Sequence, residues 1–570
     1  MKIFKLFPLA CAALMMSACT SDDASNGGST GVNDPQYLSV NIVNVGATPT
    51  GRATDPDYEG GTIEENKINK VRFYFFNGDG SPYLIKATGT EVTGKENVNW
   101  LEATPGEDTT TPGTSTSVEK ITNAVLVING VQSAAPSAIV AVVNPETVGA
   151  ATLNNDGQMR LSELREKAVG SKFYNTNASG NVSNFVMSNS VYVNAGSDVC
   201  ASLVAGHVAT SAKDAKENPV DLYVERVAAK VTADFDLNAF EVGNGTNWDT
   251  NKYGTKTAVG KIGDNEVYAV IDGWGLADEN GKAEIEKQVD SKTWSDGIVG
   301  ITPWTTYDYH RCFWENSVSF GSGAGANRPV NHKFNDFKAK KNDVLYTLPN
   351  TPLAKITNVY DNDVTKFFVA ATLKYEDKSH NWKNAEICRY NGVQFLGVDN
   401  LKMQVALTFS KYYTSTDDGT THTQLTKDDI TFAEPTTSMK SYQVTPTLVD
   451  KPTKKYYTKS STGEYTEVPK DDVNTAIGAD KAEIRTDGKA YYFVPIRHLA
   501  TDPTTLGYYG VVRNHFYKIN LTGIKGFGTP VYNPDKDIDP TVPTYSNTYL
   551  AARVQVLQWR IVNQNVSLGK

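Results

Sequence analysis

The sequence predicts an all-β protein, and three observations support that fold class. Thr, Val, Tyr, Asn, Gly and Asp dominate the middle of the chain, and long helical stretches rich in leucine and alanine are almost absent. Several segments alternate apolar and polar residues with the period of a half-buried strand. The turn Asn77-Gly-Asp-Gly80 directly follows an apolar run and is a strong hairpin signal. Together these features predict short strands joined by polar turns.

Length and charge limit the classes of function. The chain has 570 residues, which suits two or more domains with sizeable cores. It carries 55 Lys and Arg against 64 Asp and Glu, a net charge of −9. Because nucleic-acid binding needs a basic surface that displaces counterions, this balance predicts no nucleic-acid partner.

The first 18 residues predict a secretory signal. A cationic start is followed by an apolar core and by Ser17-Ala18, and the apolar core is too short to span a membrane. Cys19 after these small residues resembles a bacterial lipobox, in which the cysteine becomes lipidated, while a plain signal peptide with an incidental cysteine is the alternative. Residues 19–36 are polar and rich in Ser, Gly and Asn, so they predict a flexible tether.

One strand is predicted next, inside the range 37–52. Its apolar residues alternate and then shift register; they are Leu38, Val40, Ile42, Val43 and Val45. A loop of turn formers follows and contains Arg52-Ala53. The residues alone favour a solvated loop arginine at this position.

Further strands are predicted along the rest of the chain, and one helix. The helix is expected where Leu161, Leu164 and Ala168 share a face. A long alternating segment from Leu222 to Phe235 slips near Arg226, which predicts a strand with a bulge. This segment ends a first domain over 53–234, and a second domain is expected over 235–530. The other predicted strands cover 71–76, 125–129, 139–143, 267–271, 366–375, 403–409, 490–496 and 516–521.

The C-terminus combines a linker with an apolar segment. Residues 531–548 are rich in Pro and Asp and predict an extended, solvated linker. The segment 549–570 follows, and its apolar side chains change parity part-way; they are Val554, Val556, Leu557, Trp559, Ile561, Val566 and Leu568. Two interpretations stay open, a final edge strand of the chain's own second domain or a strand added to another molecule.

Blocks spread over the mature chain carry a family resemblance. They are Tyr37-Leu-Ser-Val, Gly51-Arg52-Ala53, Lys67-Ile-Asn-Lys-Val71, Val224-Glu-Arg-Val-Ala-Ala-Lys-Val231, Val512-Arg-Asn-His-Phe-Tyr-Lys-Ile519 and Val554-Gln-Val-Leu-Gln-Trp-Arg-Ile-Val-Asn-Gln-Asn-Val566. In this order they resemble the type V pilins, or fimbrillins, of Bacteroidales, and within them the shaft subunit of minor (short) fimbriae. The acidic Ser-Asp-Asp behind Cys19 also resembles the surface-export signal of Bacteroides lipoproteins.

The resemblance implies two transthyretin-like β-sandwich domains with long loops, a few short helices and an extended C-terminal donor strand. It implies a precursor lipidated at Cys19, anchored in the outer membrane and cut between Arg52 and Ala53 by an arginine-specific, trypsin-like protease. The cut would release the strand over 37–52, and the segment 549–570 of another subunit would replace it. The implied partners are further copies of the chain in a head-to-tail polymer, anchor and tip pilins, and host or bacterial surface ligands met in adhesion and biofilm formation.

The sequence gives little support to an enzymatic function. The seven histidines are scattered without metal-ligand spacing, so no catalytic residue, metal or cofactor is predicted. Cys200, Cys312 and Cys388 favour small buried side chains, and the aromatic cluster over 307–314 favours packing under a loop. A permanently anchored surface lipoprotein that binds glycans or host molecules, and an accessory tip or anchor pilin, remain the alternatives.

Overall fold

A computed structural model gives the fold of the protein. It describes residues 36–44, 61–86, 97–104, 121–128, 131, 134–148, 150–153, 157–177, 179–190, 201–235, 258–289, 312–317, 332–352, 364–500, 502–538 and 549–557. Within these ranges strands far outnumber helices, so the prediction of an all-β-dominated fold with a few short helices is confirmed.

An eight-stranded sheet forms the core of the first domain. The strands of this part of the chain are β1 Gln36–Asn44, β2 Val71–Phe76, β3 Ile85–Lys86, β4 Asn97–Val98, β5 Trp100–Ala103, β6 Ile121–Ile128, β7 Ala138–Val143, β8 Ala168–Val169, β9 Asn175–Thr176, β10 Val182–Ser183, β11 Met187–Asn189, β12 Ser202–Leu203 and β13 Val220–Arg226. The sheet has the order β5-β2-β7-β11-β13-β1-β6, and β12 also pairs with β7. Every residue of β2 and β7 is buried, so protein covers both faces of the sheet there.

The chain then enters a second domain. Its first strands are β14 Ala229–Phe235, β15 Gly260–Ile262, β16 Asn265–Ala277, β17 Ala283–Glu284, β18 Val344–Thr347, β19 Lys366–Glu376 and β20 Trp382–Asn384. Of these, β17 leaves the domain and pairs with β8 of the first domain. The segment around β17 therefore connects the two domains a second time.

Residues 387–484 form a separate unit inserted into the second domain. Its strands are β21 Ile387–Tyr390, β22 Val393–Leu396, β23 Tyr412–Ser415, β24 Thr423–Gln424, β25 Ile430–Ala433, β26 Gln443–Leu448, β27 Lys455–Lys459, β28 Tyr465–Val468 and β29 Ala482–Ile484. They make a five-stranded and a four-stranded sheet around a core of their own, which includes Tyr390, Leu401 and Val444.

Two sheets complete the second domain as a β-sandwich. The last strands are β30 Lys489–Pro495, β31 Phe516–Lys525, β32 Thr529–Pro530 and β33 Tyr549–Leu557. One sheet has the order β18-β14-β31-β33, and the other has the order β15-β16-β19-β30-β32. Side chains from both sheets share one core, for example Val231 and Ile519 of the first and Val369 and Tyr492 of the second.

The helices are short. They are α1 Pro145–Val148, α2 Ala150–Leu153, α3 Leu161–Arg165, α4 Ala212–Glu217, α5 Val398–Thr408 and α6 Lys470–Ile477, with 3-10 turns at Phe334–Asp336, Lys427–Asp429 and Thr486–Gly488. Within the described ranges, no helix is long and apolar enough to cross a membrane.

Three details of the sequence prediction need correction. The segment 403–409, predicted as a strand, lies in α5 apart from its last residue, because Leu401 and Val405 are four residues apart on one buried helical face. The segment 222–235 is not one bulged strand: it divides into β13 and β14, which belong to different sheets. The predicted helix ends at Arg165, and Ala168 lies in β8.

Candidate functional site

Strand β1 lies inside the first sheet rather than at its edge. It runs antiparallel to β6, where Gln36 lies opposite Ile128, and parallel to β13, where Val40 lies opposite Val220. Both backbone edges of β1 are therefore paired. If β1 left, β6 and β13 would each present an unpaired edge to a gap one strand wide.

Side chains of β1 reach the core of the first domain. Leu38 and Val40 are both 0% exposed and pack in the core cluster that includes Leu126 and Leu222. Burial of each such side chain stabilises by roughly 1.5–3 kcal/mol. The predicted residues Ile42 and Val43 also lie in β1 and continue its pairing with β13.

A short helix lies against this part of the sheet. Helix α4 packs against both β1 and β6, and its Ala215 is fully buried. Ser211 caps the helix, because its hydroxyl accepts a hydrogen bond of 3.1 Å from the amide of Asp214. Strand β1 thus lies between two paired strands, and a helix packs against it.

The predicted processing residues Arg52 and Ala53, together with Val45 and Cys19, lie outside the described residues. The position of the loop in the chain is nevertheless fixed by its neighbours. It follows β1, which ends at Asn44, and precedes a turn over residues 62–66.

Glu65 attaches that turn to both domains through hydrogen bonds. The side chain is 1% exposed and accepts hydrogen bonds from Lys230 at 2.8 Å and Tyr346 at 2.5 Å. Arg226 donates to the Glu65 carbonyl oxygen at 2.9 Å. The chain beyond the loop therefore stays attached to both domains independently of β1.

Charge explains the ionisation of Glu65. Burial alone would raise its pKa, but the positive charges of Lys230 and Arg226 outweigh burial, so the pKa of Glu65 is lowered. Burial and the neighbouring Glu65 charge both raise the pKa of Tyr346, which therefore keeps its proton and donates it in the hydrogen bond.

The C-terminal segment is an edge strand of the second domain as far as Leu557. Strand β33 runs antiparallel to β31, with Leu557 opposite Phe516 and Tyr549 opposite Lys525, and its other edge is unpaired within the described residues. This is the first of the two arrangements that the sequence left open. Val554, Val556 and Leu557 lie in β33, whereas Trp559, Ile561, Val566 and Leu568 lie outside the described residues.

The predicted linker is partly docked. Ile538 donates a backbone hydrogen bond of 2.9 Å to His332, and Asp537 forms a β-bridge with Lys333. Val531 is buried at the start of the segment. At least residues 531–538 therefore lie against the second domain and are not a free tether.

A buried charged cluster lies at the domain junction and was not predicted from the sequence. Arg513 binds both carboxylate oxygens of Glu315, and Lys287 lies 3.6 Å from Glu225. All four side chains are at most 1% exposed. Arg513 and Glu225 fall in the family-resembling blocks, but a charged residue in a sequence looks the same whether it is buried or solvated.

No group of three or more His, Cys, Asp or Glu in the described part of the chain is placed to hold a metal. His498 is fully buried and bonds the Tyr517 hydroxyl and the Phe313 carbonyl oxygen, both at 2.9 Å. Cys312 and Cys388 are buried free thiols, as the sequence favoured, and Cys200 lies outside the described residues.

A family match covers the end of the chain. Residues 485–565 match the family model of the major fimbrial subunit protein type IV (fimbrillin), C-terminal region. The chain carries a fimbrillin C-terminal region. The match supports the predicted fimbrillin family over these residues, which contain β30, β31 and β33.

Solved structures match the chain with low sequence identity and low TM-scores. A fimbrilin from Porphyromonas gingivalis W83 is 12% identical, with 93% of this chain and 98% of that chain covered and a TM-score of 0.36. The tip fimbrial protein Mfa3 from Porphyromonas gingivalis, with C-terminal truncation, is 11% identical over 92% and 100% of the two chains, with a TM-score of 0.27. A fimbrial assembly protein from Parabacteroides distasonis ATCC 8503 is 10% identical over 76% and 98%, with a TM-score of 0.24. Scores this low do not establish a common fold, and no curated protein sequence matches the chain.

Proposed function

We propose that this fimbrillin is a structural subunit of a cell-surface fimbrium, and that it polymerises by exchange of β1 for a strand of another copy. One observation carries the proposal: a strand paired on both edges lies in the first domain, directly before the loop with Arg52. Removing such a strand leaves an apolar, hydrogen-bonding gap that a second chain can fill.

Cleavage after Arg52 supplies the driving force for β1 to leave. While the loop is intact, β1 is tethered beside its gap, and a short tether keeps the effective local concentration at roughly millimolar. After the cut, β1 dissociates into a much larger volume, so dilution favours its departure. The long cationic side chain of Arg52 suits the acidic pocket of a trypsin-like protease, and Ala53 is small and not proline.

After the cut, the mature chain begins just after Arg52, so the residues that follow the loop keep their contacts with both domains. The turn that contains Glu65 stays bound to Lys230, Tyr346 and Arg226. Loss of residues up to Arg52 would therefore open the gap without releasing the rest of the chain.

The donor strand is provided by the end of another copy. Residues up to Leu557 pair with β31 of their own domain, and the apolar side chains change parity at this residue, where Trp559 and Ile561 follow. We infer that the residues up to Leu557 anchor the segment to its own domain. The residues beyond Leu557 fill the gap between β13 and β6 of another copy. Because gap and donor lie at opposite ends of the chain, the contact is head-to-tail and builds a filament.

Export and partners follow from the same proposal. The precursor is lipidated at Cys19 and anchored in the outer membrane until cleavage frees it. Its partners are copies of itself, anchor and tip pilins, and an arginine-specific protease, and the filament supports adhesion and biofilm formation as the shaft of a minor fimbrium. A permanently anchored, glycan- or host-binding lipoprotein would keep the Arg52 bond intact.

Proteolysis of the purified precursor tests the proposal. We expect trypsin to give a new N-terminus at Ala53 and the cut chain to form filaments, visible by electron microscopy. Arg52→Lys keeps a trypsin site and should still assemble, whereas Arg52→Ala should stay uncut and monomeric. A chain without residues 558–570 should be cut normally but should not polymerise.

Two results would contradict the proposal. A precursor whose Arg52 bond resists trypsin would favour the permanently anchored lipoprotein. Filaments formed by the Arg52→Ala variant, or by the cut chain that lacks residues 558–570, would exclude exchange of β1 for the C-terminal segment.

A further inference from the structure

A segment of the second domain crosses to the first domain and fills the junction between them. This strap, residues 283–289, includes β17, which pairs with β8, and its Ile285 amide donates to the Lys167 carbonyl oxygen at 2.8 Å. Gln288 donates to the Arg165 carbonyl oxygen at 2.6 Å. On the other side, Arg513 of the second domain donates to the Ile285 carbonyl oxygen at 2.8 Å.

Two buried ion pairs flank the strap. Arg513 forms hydrogen bonds of 2.8 Å and 2.6 Å to the two oxygens of Glu315, and Lys287 lies 3.6 Å from an oxygen of Glu225. Each of these cations thus has its own carboxylate partner at the junction.

Glu286 is a third carboxyl group at the same junction. Its side chain is 0% exposed, and neither of its oxygens has a hydrogen-bond partner among the described residues. The groups that face it are Lys287 on the strap, Arg513 of the second domain, and Arg165 and Ser188 of the first domain. The Ser188 hydroxyl donates to the Ile285 carbonyl oxygen at 2.6 Å instead of to Glu286.

An ionised carboxylate is costly in this position. It would lose its hydration without gaining donors, and Lys287 and Arg513 already face Glu225 and Glu315. Burial accordingly raises the pKa of Glu286 to about 7, with Lys287, Arg513 and Arg165 opposing the rise. Near neutral pH, this carboxyl group is therefore poised between its acid and its carboxylate form.

We propose that Glu286 is a proton-operated lock between the two domains, closed when the carboxyl group is protonated and loosened when it ionises. In the closed state the neutral acid between the strap and both domains avoids the larger cost of a buried charge. In the loosened state the buried charge favours separation of the strap from β8, because separation lets water reach the carboxylate. This inference depends only on the junction and not on the exchange of β1.

The sign of the pH dependence follows from the direction of the shift. The pKa of Glu286 is higher in the folded protein than the ordinary value of 4.5. The group therefore contributes stability that is complete at acidic pH and is lost as the pH rises through about 7. The junction should be tightest in mildly acidic surroundings.

Glu286→Gln keeps the shape of the neutral acid but cannot ionise. We expect the Tm of the wild type to fall by about 3 °C more than that of Glu286→Gln between about pH 6 and pH 8. Glu266→Gln, whose side chain is 50% exposed in the wild type, is the matched control and should follow the wild-type profile. Parallel profiles for wild type and Glu286→Gln would overturn the proposal.

Two further measurements on the wild type keep the test independent of how the variant folds. Infrared spectra should contain a protonated carboxylic acid band that disappears as the pH rises through about 7. Amide exchange at Ile285, corrected for the intrinsic pH dependence, should accelerate over the same range because the strap loosens. A carboxyl band that does not titrate near neutrality, or unchanged protection of Ile285, would refute the lock.

Discussion

The two terminal strands of the described chain are held in opposite ways. Strand β1 lies between two partners, β6 and β13, and buries Leu38 and Val40 in the core of the first domain. Within the part of the chain that the structure describes, strand β33 pairs only with β31 and forms the edge of its sheet. A strand with two partners cannot leave without exposing a gap, whereas an edge strand can be removed while its sheet stays closed. The first domain is therefore the one whose sheet depends on a terminal strand.

Deleting each strand in turn gives the largest expected difference. A precursor without residues 36–44 should lose roughly 3–6 kcal/mol from the two buried side chains alone, in addition to two sets of backbone pairs. A chain that ends before residue 549 should lose less, because only one set of pairs disappears. Urea denaturation followed by fluorescence measures both, and a chain without residues 19–35 is the control. Equal losses for the two deletions would remove the distinction between a central and an edge strand.

A single side chain tests the same distinction with a smaller effect. Leu38→Ala should destabilise the precursor by about 2–5 kcal/mol, because it leaves a cavity in the core. Leu203→Ala is the control, since Leu203 is 58% exposed and its truncation should change the free energy of unfolding by less than about 0.5 kcal/mol. After cleavage and loss of β1, Leu38→Ala should have no effect on the mature subunit. An effect that persists in the cut chain would mean that β1 stays bound.

Glu65→Gln tests whether the chain beyond the loop is fixed independently of β1. The pKa of Glu65 is lowered in the folded protein, so its contribution is present above its ordinary value of 4.5 and is lost as the pH falls through the folded pKa. At neutral pH the variant should lose about 1–3 kcal/mol, because Lys230 loses the charge of its partner.

Both the precursor and the cut chain should show this loss of stability, because the turn that contains Glu65 stays attached to both domains in each form. Thermal unfolding from neutral to acidic pH measures it, with Glu266→Gln as the exposed control. A loss confined to the precursor would show that the turn is fixed only while β1 is present.

The sequence predicted those elements whose pattern is local. Strands β2, β7 and β19 coincide with the strands predicted over 71–76, 139–143 and 366–375. Strand β1 was predicted from its alternating residues, but its central position in the sheet depends on pairing with β13, far along the chain.

The wrong predictions lie where a segment fits both the helix and the strand period, or where tertiary contacts determine the secondary structure. Met403, Val405 and Leu407 alternate as in a strand, but the buried pair Leu401 and Val405 and the exposed Met403 and Leu407 show a helix. The slip near Arg226 between the alternating residues of β13 and β14 marks a change of sheet and not a bulge. Glu286 could not have been recognised from the sequence, because its burial results from the crossing of the strap.

The strap also determines how the molecule bears mechanical load. The domains are joined covalently by the step from β13 to β14 and non-covalently by the pairing of β17 with β8. A tensile force applied between the β1 gap and β33 is therefore divided between parallel connections. Separation of the domains therefore requires the β8–β17 pairing to break. The strap thus adds a second connection that must fail before the two domains can be pulled apart.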